Sequence, residues 1–154
     1  SWEKNHPERK KWSEFVFEFL DAEMIEIFDS AKDARRICPK YEVLSKEQRI
    51  SVWSELISAV TYYESGWNPA SRMIETTMGI DPVTKKQVAS EGLLQLSYQD
   101  VPNYGAVLKF PLCRIEWQKD KGLDVKDVKK TIFDPFVNLE CGIRIMANQI
   151  KKKG

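Results

Sequence analysis

The sequence of 154 residues has one histidine, three cysteines and no long apolar run. The histidine, His6, lies in a charged N-terminal stretch, which argues against Ser-His-Asp and Cys-His chemistry and leaves zinc without its usual ligands. The cysteines at positions 38, 113 and 141 have neither metal-binding nor redox-motif spacing. We therefore predict no metal and no cofactor, so any chemistry must come from carboxylates, amides, hydroxyls or lysine.

An excess of charge of one sign is lacking too. The chain has 24 basic and 23 acidic residues and a net charge of +1, so it offers no broad basic surface for nucleic acid. No stretch has the length of a membrane span or the pattern of a signal peptide. With 42% hydrophobic and 31% charged residues, the composition is that of a globular protein. We predict one domain over residues 1–154 and a monomer.

Apolar residues at three- and four-residue steps predict most of the chain to be helical. One long helix or two short ones are expected between Trp12 and about Ile37. The next helix should begin at a capping box, Ser45 with Gln48, and end at Gly66. A last helix is expected after Asp134 as N-cap, with an apolar stripe formed by Val137, Cys141, Ile145 and Met146.

The segment from Thr77 to Val88 has a different pattern, with Gly79 and Asp81-Pro82 between short β-prone stretches. This pattern predicts a small β-hairpin. The expected fold class is therefore α+β and mostly α-helical, rather than a doubly wound sheet.

Glu64 is an unexpected residue at the end of the second of these helices. It follows Val60 by four residues, Ile57 by seven and Trp53 by eleven, which would extend the apolar face of the helix to a carboxylate. A carboxylate that loses water there would favour its protonated form, as a general acid requires. The alternative is an acid at a frayed helix end that reaches solvent.

Three segments in this order, ESGWNPAS, SEGLLQLS and DPFVNLECGIRIM, resemble the soluble lytic transglycosylases and the related goose-type lysozymes. The resemblance covers residues 45–150 and implies a lysozyme-like catalytic core that binds peptidoglycan glycan strands, with the hairpin between the catalytic helix and the Gly-Leu-Leu-Gln segment. Residues 1–44 would form an N-terminal helical extension. A cell-wall substrate implies an exported protein, periplasmic or extracellular.

The resemblance also implies roles for single residues. Glu64 would be the catalytic acid, and Ser65 beside it would hydrogen-bond substrate or orient the acid. Gln95 would face the glycan near the scissile bond, while Gly92 would permit a close backbone approach. Leu93, Leu94, Leu96, Asn138 and Gly142 would serve packing. Ile145 stands where the family usually has a tyrosine, and the Ala-Tyr-Asn motif that commonly follows is absent. Hydroxyls that could replace that tyrosine, or contact substrate, belong to Tyr62, Tyr63, Tyr98 and Tyr104.

The expected reaction is cleavage of the β-1,4 bond between N-acetylmuramic acid and N-acetylglucosamine. In a lytic transglycosylase Glu64 alone would act as acid and base, and this type is our first prediction. In a hydrolytic lysozyme a second carboxylate would assist water. Glu75 is the candidate for that role, or for a sugar ligand, and Asp81 is a second candidate that also fits a turn.

Two further expectations concern side chains near this site. Tyr63 and Trp67 flank Glu64 and could stack on sugar rings or belong to the core. We predict a Cys113–Cys141 disulfide, with three free thiols as the alternative. A lysozyme-like module that binds glycan or a protein without cleaving it is the alternative of a different class.

Overall fold

The computed structural model describes residues 1–108 and 113–153, apart from the side chains of 106–108. Among the described residues 59% are helical, and one two-stranded antiparallel sheet accompanies the helices, which confirms the predicted α+β, mostly helical class. The chain divides into two compact units, Ser1–Val60 with Ile143–Gly154, and Thr61–Gly142. Within the described residues no helix is both long enough and apolar enough to cross a bilayer.

The first unit begins with four helices: α1 (Trp2–Asn5), α2 (Lys10–Phe19), α3 (Ile25–Asp29) and α4 (Ala34–Ile37). A π-helical segment, Leu20–Met24, joins α2 directly to α3. The region between Trp12 and about Ile37 therefore contains one long helix with a π-helical segment inside it, followed by the short helix α4. The two predicted alternatives, one long helix or two short ones, are each confirmed in part. Short 3₁₀ turns lie at Pro7–Arg9 and Tyr41–Val43.

The core of the first unit is aromatic and aliphatic. Its fully buried side chains include Trp2, Val16, Leu20, Met24, Phe28, Ile50 and Ile57. The Phe28 and Trp53 rings meet edge to face, with centroids 5.0 Å apart. Such aromatic pairs add to the stabilisation that burial provides.

The two long helices, α5 (Lys46–Ser65) and α8 (Pro135–Lys153), begin where the sequence predicts. The Ser45 amide donates to Gln48 Oε1 at 2.9 Å, and the Gln48 amide donates to Ser45 Oγ at 3.2 Å. This reciprocal pair is the expected capping box. Asp134 caps α8 by accepting from the amides of Phe136 and Val137 at 2.9 and 3.0 Å.

The apolar stripe of α8 differs from the prediction. Cys141 is buried, but Val137, Ile145 and Met146 are only half-buried. The fully buried apolar residues of α8 are Leu139, Ile143 and Ala147. Periodicity located the helix correctly, but packing selected a neighbouring face.

The second unit contains β1 (Arg72–Ile74), β2 (Ala89–Glu91), α6 (Asp100–Leu108), α7 (Trp117–Asp120) and a 3₁₀ turn, Thr131–Phe133. Arg72 pairs with Glu91, Met73 with Ser90 and Ile74 with Ala89. An isolated bridge joins Ile80 to Gln87. The hairpin is present, but its strands flank the predicted segment because this segment forms mainly the connection.

Close packing holds the segment after β2 against α8. Leu93, Leu94 and Leu96 are buried, as predicted. Asn138 is also fully buried; its Oδ1 accepts from the Leu94 amide at 2.8 Å, and its Nδ2 donates to the Glu91 and Ile132 carbonyls at 3.1 and 2.9 Å. A Cβ on Gly142 would lie 2.2 Å from Leu94 Cδ1. The packing roles predicted for Asn138 and Gly142 are therefore confirmed.

Candidate active site

Glu64 lies in the last turn of α5, and its side chain is exposed. The expectation of a buried carboxylate is wrong, because the buried face of α5 continues from Ile57 to Thr61, which are 1% and 0% exposed. Val60, one step around the helix, is half-buried. Glu64 therefore faces solvent at the helix end, where a ligand can reach it.

The chain turns sharply after Glu64. Gly66 and Trp67 both have left-handed backbones, with φ of 59° and 61°, and the Gly66 amide donates to the Tyr62 carbonyl at 2.8 Å. Gly66 ends the helix as predicted, since glycine adopts this conformation without strain. The turn brings the Trp67 ring to 4.9 Å from the Tyr62 ring. Tyr63 is 87% exposed, so the helix end presents aromatic rings beside the carboxylate.

Two predicted polar residues make local contacts. The Ser65 hydroxyl donates to the Thr61 carbonyl at 3.0 Å, which binds it to its own helix. Gln95 has φ of 50°, and its Nε2 donates to the carbonyls of Gly92 at 2.9 Å and Ser71 at 3.3 Å. Gln95 therefore joins the segment after β2 to the loop that follows Glu64.

Gly92 fits the close approach that the sequence predicts. It has φ of 80°, and a Cβ there would lie 2.2 Å from Asn138 Nδ2 and 2.6 Å from the Ile132 carbonyl oxygen. Its amide donates to the Ser71 carbonyl at 2.8 Å. No larger residue fits without movement of this backbone.

Glu75 follows β1 directly and is half-buried. Its amide donates to the Val88 carbonyl at 2.8 Å, and its carbonyl accepts from Gln87 Nε2 at 2.6 Å. Its side-chain Oε1 accepts from the Ser90 hydroxyl at 2.5 Å. This carboxylate is thus fixed through both backbone and side chain.

Asp81 differs from Glu75 because it is 2% exposed and its oxygens have backbone partners. Oδ1 accepts from the Val83 and Thr84 amides at 2.7 and 3.2 Å, and Oδ2 accepts from the Gln99 amide at 3.1 Å. These contacts organise the hairpin connection. Asp81 is therefore better suited to a structural role than to that of a second carboxylate.

Tyr98 is 4% exposed, and its hydroxyl donates to Asp120 Oδ2 at 2.9 Å. Burial, and then this hydrogen bond, raise the pKa of Tyr98 well above its usual range. Its hydroxyl is committed to the protein interior rather than to a ligand. Tyr104, the other predicted tyrosine of this region, lies half-buried on α6.

A buried ionic cluster lies on the hairpin and was not predicted from the sequence. Glu91 accepts from Arg72 Nε at 3.2 Å and from Lys130 Nζ, and Glu91 and Lys130 are 2% and 4% exposed. Lys130 also donates to the Val125 carbonyl at 3.1 Å. The strand register is the signal that could have indicated this cluster, because it sets Arg72 opposite Glu91 and opposite charges stabilise a cross-strand pair.

The predicted Cys113–Cys141 disulfide is wrong in this structure, because all three cysteines are free thiols. The Cys113 and Cys141 side chains do lie close enough to interact. Hydrogen bonding between them lowers the pKa of Cys113, and together with burial it raises the pKa of Cys141. The prediction brought the correct two segments together, but it assigned the wrong chemical state to the two sulfur atoms.

In the part of the chain that the structure describes, no three His, Cys, Asp or Glu side chains group so as to hold a metal ion. The polar features of the second unit include the exposed Glu64, the anchored Glu75, the Gln95 bridge and the buried ionic cluster. The first two are carboxylates accessible to a ligand. Such groups can donate and accept protons in acid–base chemistry.

No protein-family model matches the sequence, and no curated protein matches it either. Solved structures of Bd0314 DslA, a Bdellovibrio protein, do match. A glutamate-to-glutamine variant aligns with 30% identity and a TM-score of 0.70, and the wild type with 30% and 0.69. A second glutamate-to-glutamine variant aligns with 29% and 0.67. Each alignment covers 95% of this chain and 69% of DslA.

Proposed function

The chain belongs to the family of DslA, and from this premise and the two accessible carboxylates we propose that it is a glycosidase that cleaves peptidoglycan. The bond cleaved is the β-1,4 linkage between N-acetylmuramic acid and N-acetylglucosamine, in a lysozyme-like fold. Glu64 is the general acid and Glu75 the second carboxylate. Such a substrate places the protein outside the cytoplasm.

The observation that carries this proposal is a spacing. The two glutamates replaced by glutamine in the DslA variants lie eleven residues apart, as do Glu64 and Glu75. A glutamine replacement removes the acid and keeps the shape of the side chain. In this chain, the two acids with this spacing are an exposed glutamate at the end of α5 and a glutamate just beyond β1.

The two environments suit two different roles. Glu64 is exposed, and among the described residues no hydrogen bond or ion pair holds its carboxyl group. A bound glycan would cover it and exclude water, and its carboxyl group could then donate a proton to the glycosidic oxygen. The side chain of Glu75 accepts a hydrogen bond from Ser90, which fixes its direction. A carboxylate held in a fixed position can accept a proton from water or stabilise the positive charge that develops on the sugar.

Hydrolysis is accordingly the reaction that the two-carboxylate arrangement supports best. One water is consumed, the glycosidic oxygen receives a proton and the other sugar receives the hydroxyl. Lytic transglycosylation is the second candidate, favoured by the resemblance of the segments around Glu64 and Gln95. In that reaction the 6-hydroxyl of the sugar replaces water, and Glu64 serves as both acid and base.

The test is mass spectrometry of fragments released from peptidoglycan by the wild type, Glu64→Gln and Glu75→Gln. Acetylated and de-N-acetylated walls are both used, so that a requirement for one form does not hide activity. We expect hydrated reducing ends from the wild type and at least a ~100-fold loss of release in each variant, the range that acid–base groups contribute.

Glu47→Gln is the control, because Glu47 is an exposed acid at the other end of the same helix. It should cleave like the wild type. Fragments lighter by one water would assign transglycosylation instead. Undiminished cleavage by Glu64→Gln would contradict the catalytic assignment, and absence of fragments from every wall would favour a glycan-binding module.

A further inference from the structure

Ser90 makes a direct side-chain contact with Glu75. Its hydroxyl donates to Glu75 Oε1 at 2.5 Å, and Ser90 itself is only 9% exposed. A short hydrogen bond to a carboxylate is stronger than one between neutral groups. Because the donor is largely sheltered from water, solvent competes poorly for this bond.

The pleat of the hairpin explains why a serine occupies this position. Side chains alternate between the two faces of a strand, so Ser90 and its partner Met73 share one face, and Glu75, two residues after Met73, continues on it. Arg72 and Glu91 pair on the opposite face. Lys130 joins that pair. The charged side chains of β1 and β2 therefore contact each other and Lys130. The group that β2 contributes to Glu75 is an uncharged donor, the Ser90 hydroxyl.

Four hydrogen bonds hold Glu75, three at its backbone and one at its side chain. Val88, Gln87 and Met78 bind the main chain, and Ser90 binds Oε1. The other carboxylate oxygen, Oε2, is then the one that can meet water or sugar. A carboxylate held in this way is preorganised for its task.

We propose that Ser90 is a positioning residue for Glu75: its hydroxyl fixes the direction of the carboxylate. Its value for catalysis rests on the proposed function. Its effect on the conformation of Glu75 does not, because that effect follows from the hydrogen bond alone. The two statements can therefore fail separately.

The kinetic test compares Ser90→Ala with Ser90→Thr, which keeps a hydroxyl. We expect Ser90→Ala to lower kcat about tenfold with little change in KM, since a hydrogen bond to a charged group is lost at the reacting centre. Ser90→Thr should recover most of the rate, because it restores a hydroxyl donor at the same position.

Ser97→Ala is the matched control. Ser97 is 3% exposed and also donates to a carboxylate, Asp100 Oδ2, at 2.9 Å. Its loss should lower stability and leave kcat unchanged. A wild-type kcat in folded Ser90→Ala would overturn the positioning role.

A second measurement does not depend on activity. The side-chain carboxyl carbon of Glu75 is observed by NMR at one pH in the wild type and in Ser90→Ala, and Glu75→Gln identifies its signal. The chemical shift of this carbon should change in Ser90→Ala, because the hydrogen bond to Oε1 is lost. An identical chemical shift would overturn the proposal even if the wild type cleaves glycan, whereas a changed chemical shift in an inactive wild type would contradict only the proposed function.

Discussion

The backbone conformation of Trp67 determines where its aromatic ring lies near Glu64. Trp67 has φ of 61°, a region that costs a non-glycine residue about 1–2 kcal/mol. In return, its ring meets that of Tyr62 at the end of α5. A strained residue next to the proposed acid is a reason to test it for ligand binding.

We predict that Trp67→Ala weakens glycan binding about three- to tenfold, the equivalent of an aromatic contact of roughly 0.5–1.5 kcal/mol. Affinity for soluble peptidoglycan fragments is measured by calorimetry in the Glu64→Gln background, which prevents turnover. Trp67→Phe is the control, because it keeps a ring that can stack. Equal affinity in all three proteins would refute a stacking role for Trp67.

At the scale of elements, the segment after β2 depends on how closely it approaches α8. Gly92 and Gly79 both have positive φ, 80° and 74°. They differ in their surroundings: a Cβ on Gly92 would collide with Asn138 and the Ile132 carbonyl, whereas a Cβ on Gly79 would have nothing within 4 Å. A comparison of alanine variants at these two glycines therefore separates the cost of backbone strain from the cost of a steric clash.

We predict that Gly92→Ala lowers the free energy of unfolding by about 1–3 kcal/mol more than Gly79→Ala does, because only the first overpacks a closed site. Chemical denaturation of both variants and the wild type measures this difference. Equal losses would mean that α8 and the segment after β2 can separate to admit a methyl group, and the close packing inferred for Asn138 would then be wrong.

At the scale of the whole molecule, each unit contains a tyrosine whose ionisation opposes folding. In the first unit, Tyr41 is 4% exposed, donates to Asp29 Oδ1 and accepts from Trp53 Nε1 at 2.6 Å. Burial, followed by the hydrogen bond to Asp29, raises the pKa of Tyr41 from 10.0 to about 12. The second unit holds Tyr98, whose pKa is raised by the same causes.

The sign of the effect follows from proton binding. Between pH 10 and about 12 the folded state keeps a proton on Tyr41 that the unfolded state has released, so stability falls as pH rises through this window. Below pH 10 both states hold the proton, and Tyr41 adds no pH dependence. We predict that Tyr41→Phe makes the free energy of unfolding fall less steeply over this window, as measured by denaturation at a series of pH values. An unchanged slope would show that Tyr41 ionises as readily when folded as when unfolded.

Local features of this protein could be predicted from the sequence alone. Ser45 with Gln48, Asp134 before Pro135, and Gly66 each act within a few residues of their own position, so their roles as caps and stops need no knowledge of the fold. The burial of Leu93, Leu94 and Leu96 followed from the resemblance. The predicted role of Glu64 came from helical spacing and motif, and that of Glu75 from its position at the entrance to the predicted hairpin. Both remain predictions to be tested by cleavage.

Tertiary structure decided what depends on partners distant in sequence. Which face of α5 is buried depends on what packs against it, so Thr61 rather than Glu64 continues the core. The register of β1 with β2 sets Ser90 beside Glu75 and gathers Arg72, Glu91 and Lys130, because alternation carries meaning only once strands are paired. Cys113 and Cys141, 28 positions apart, come close only in the folded chain. Whether they are thiols or a disulfide is a matter of chemical state, which residue spacing does not encode.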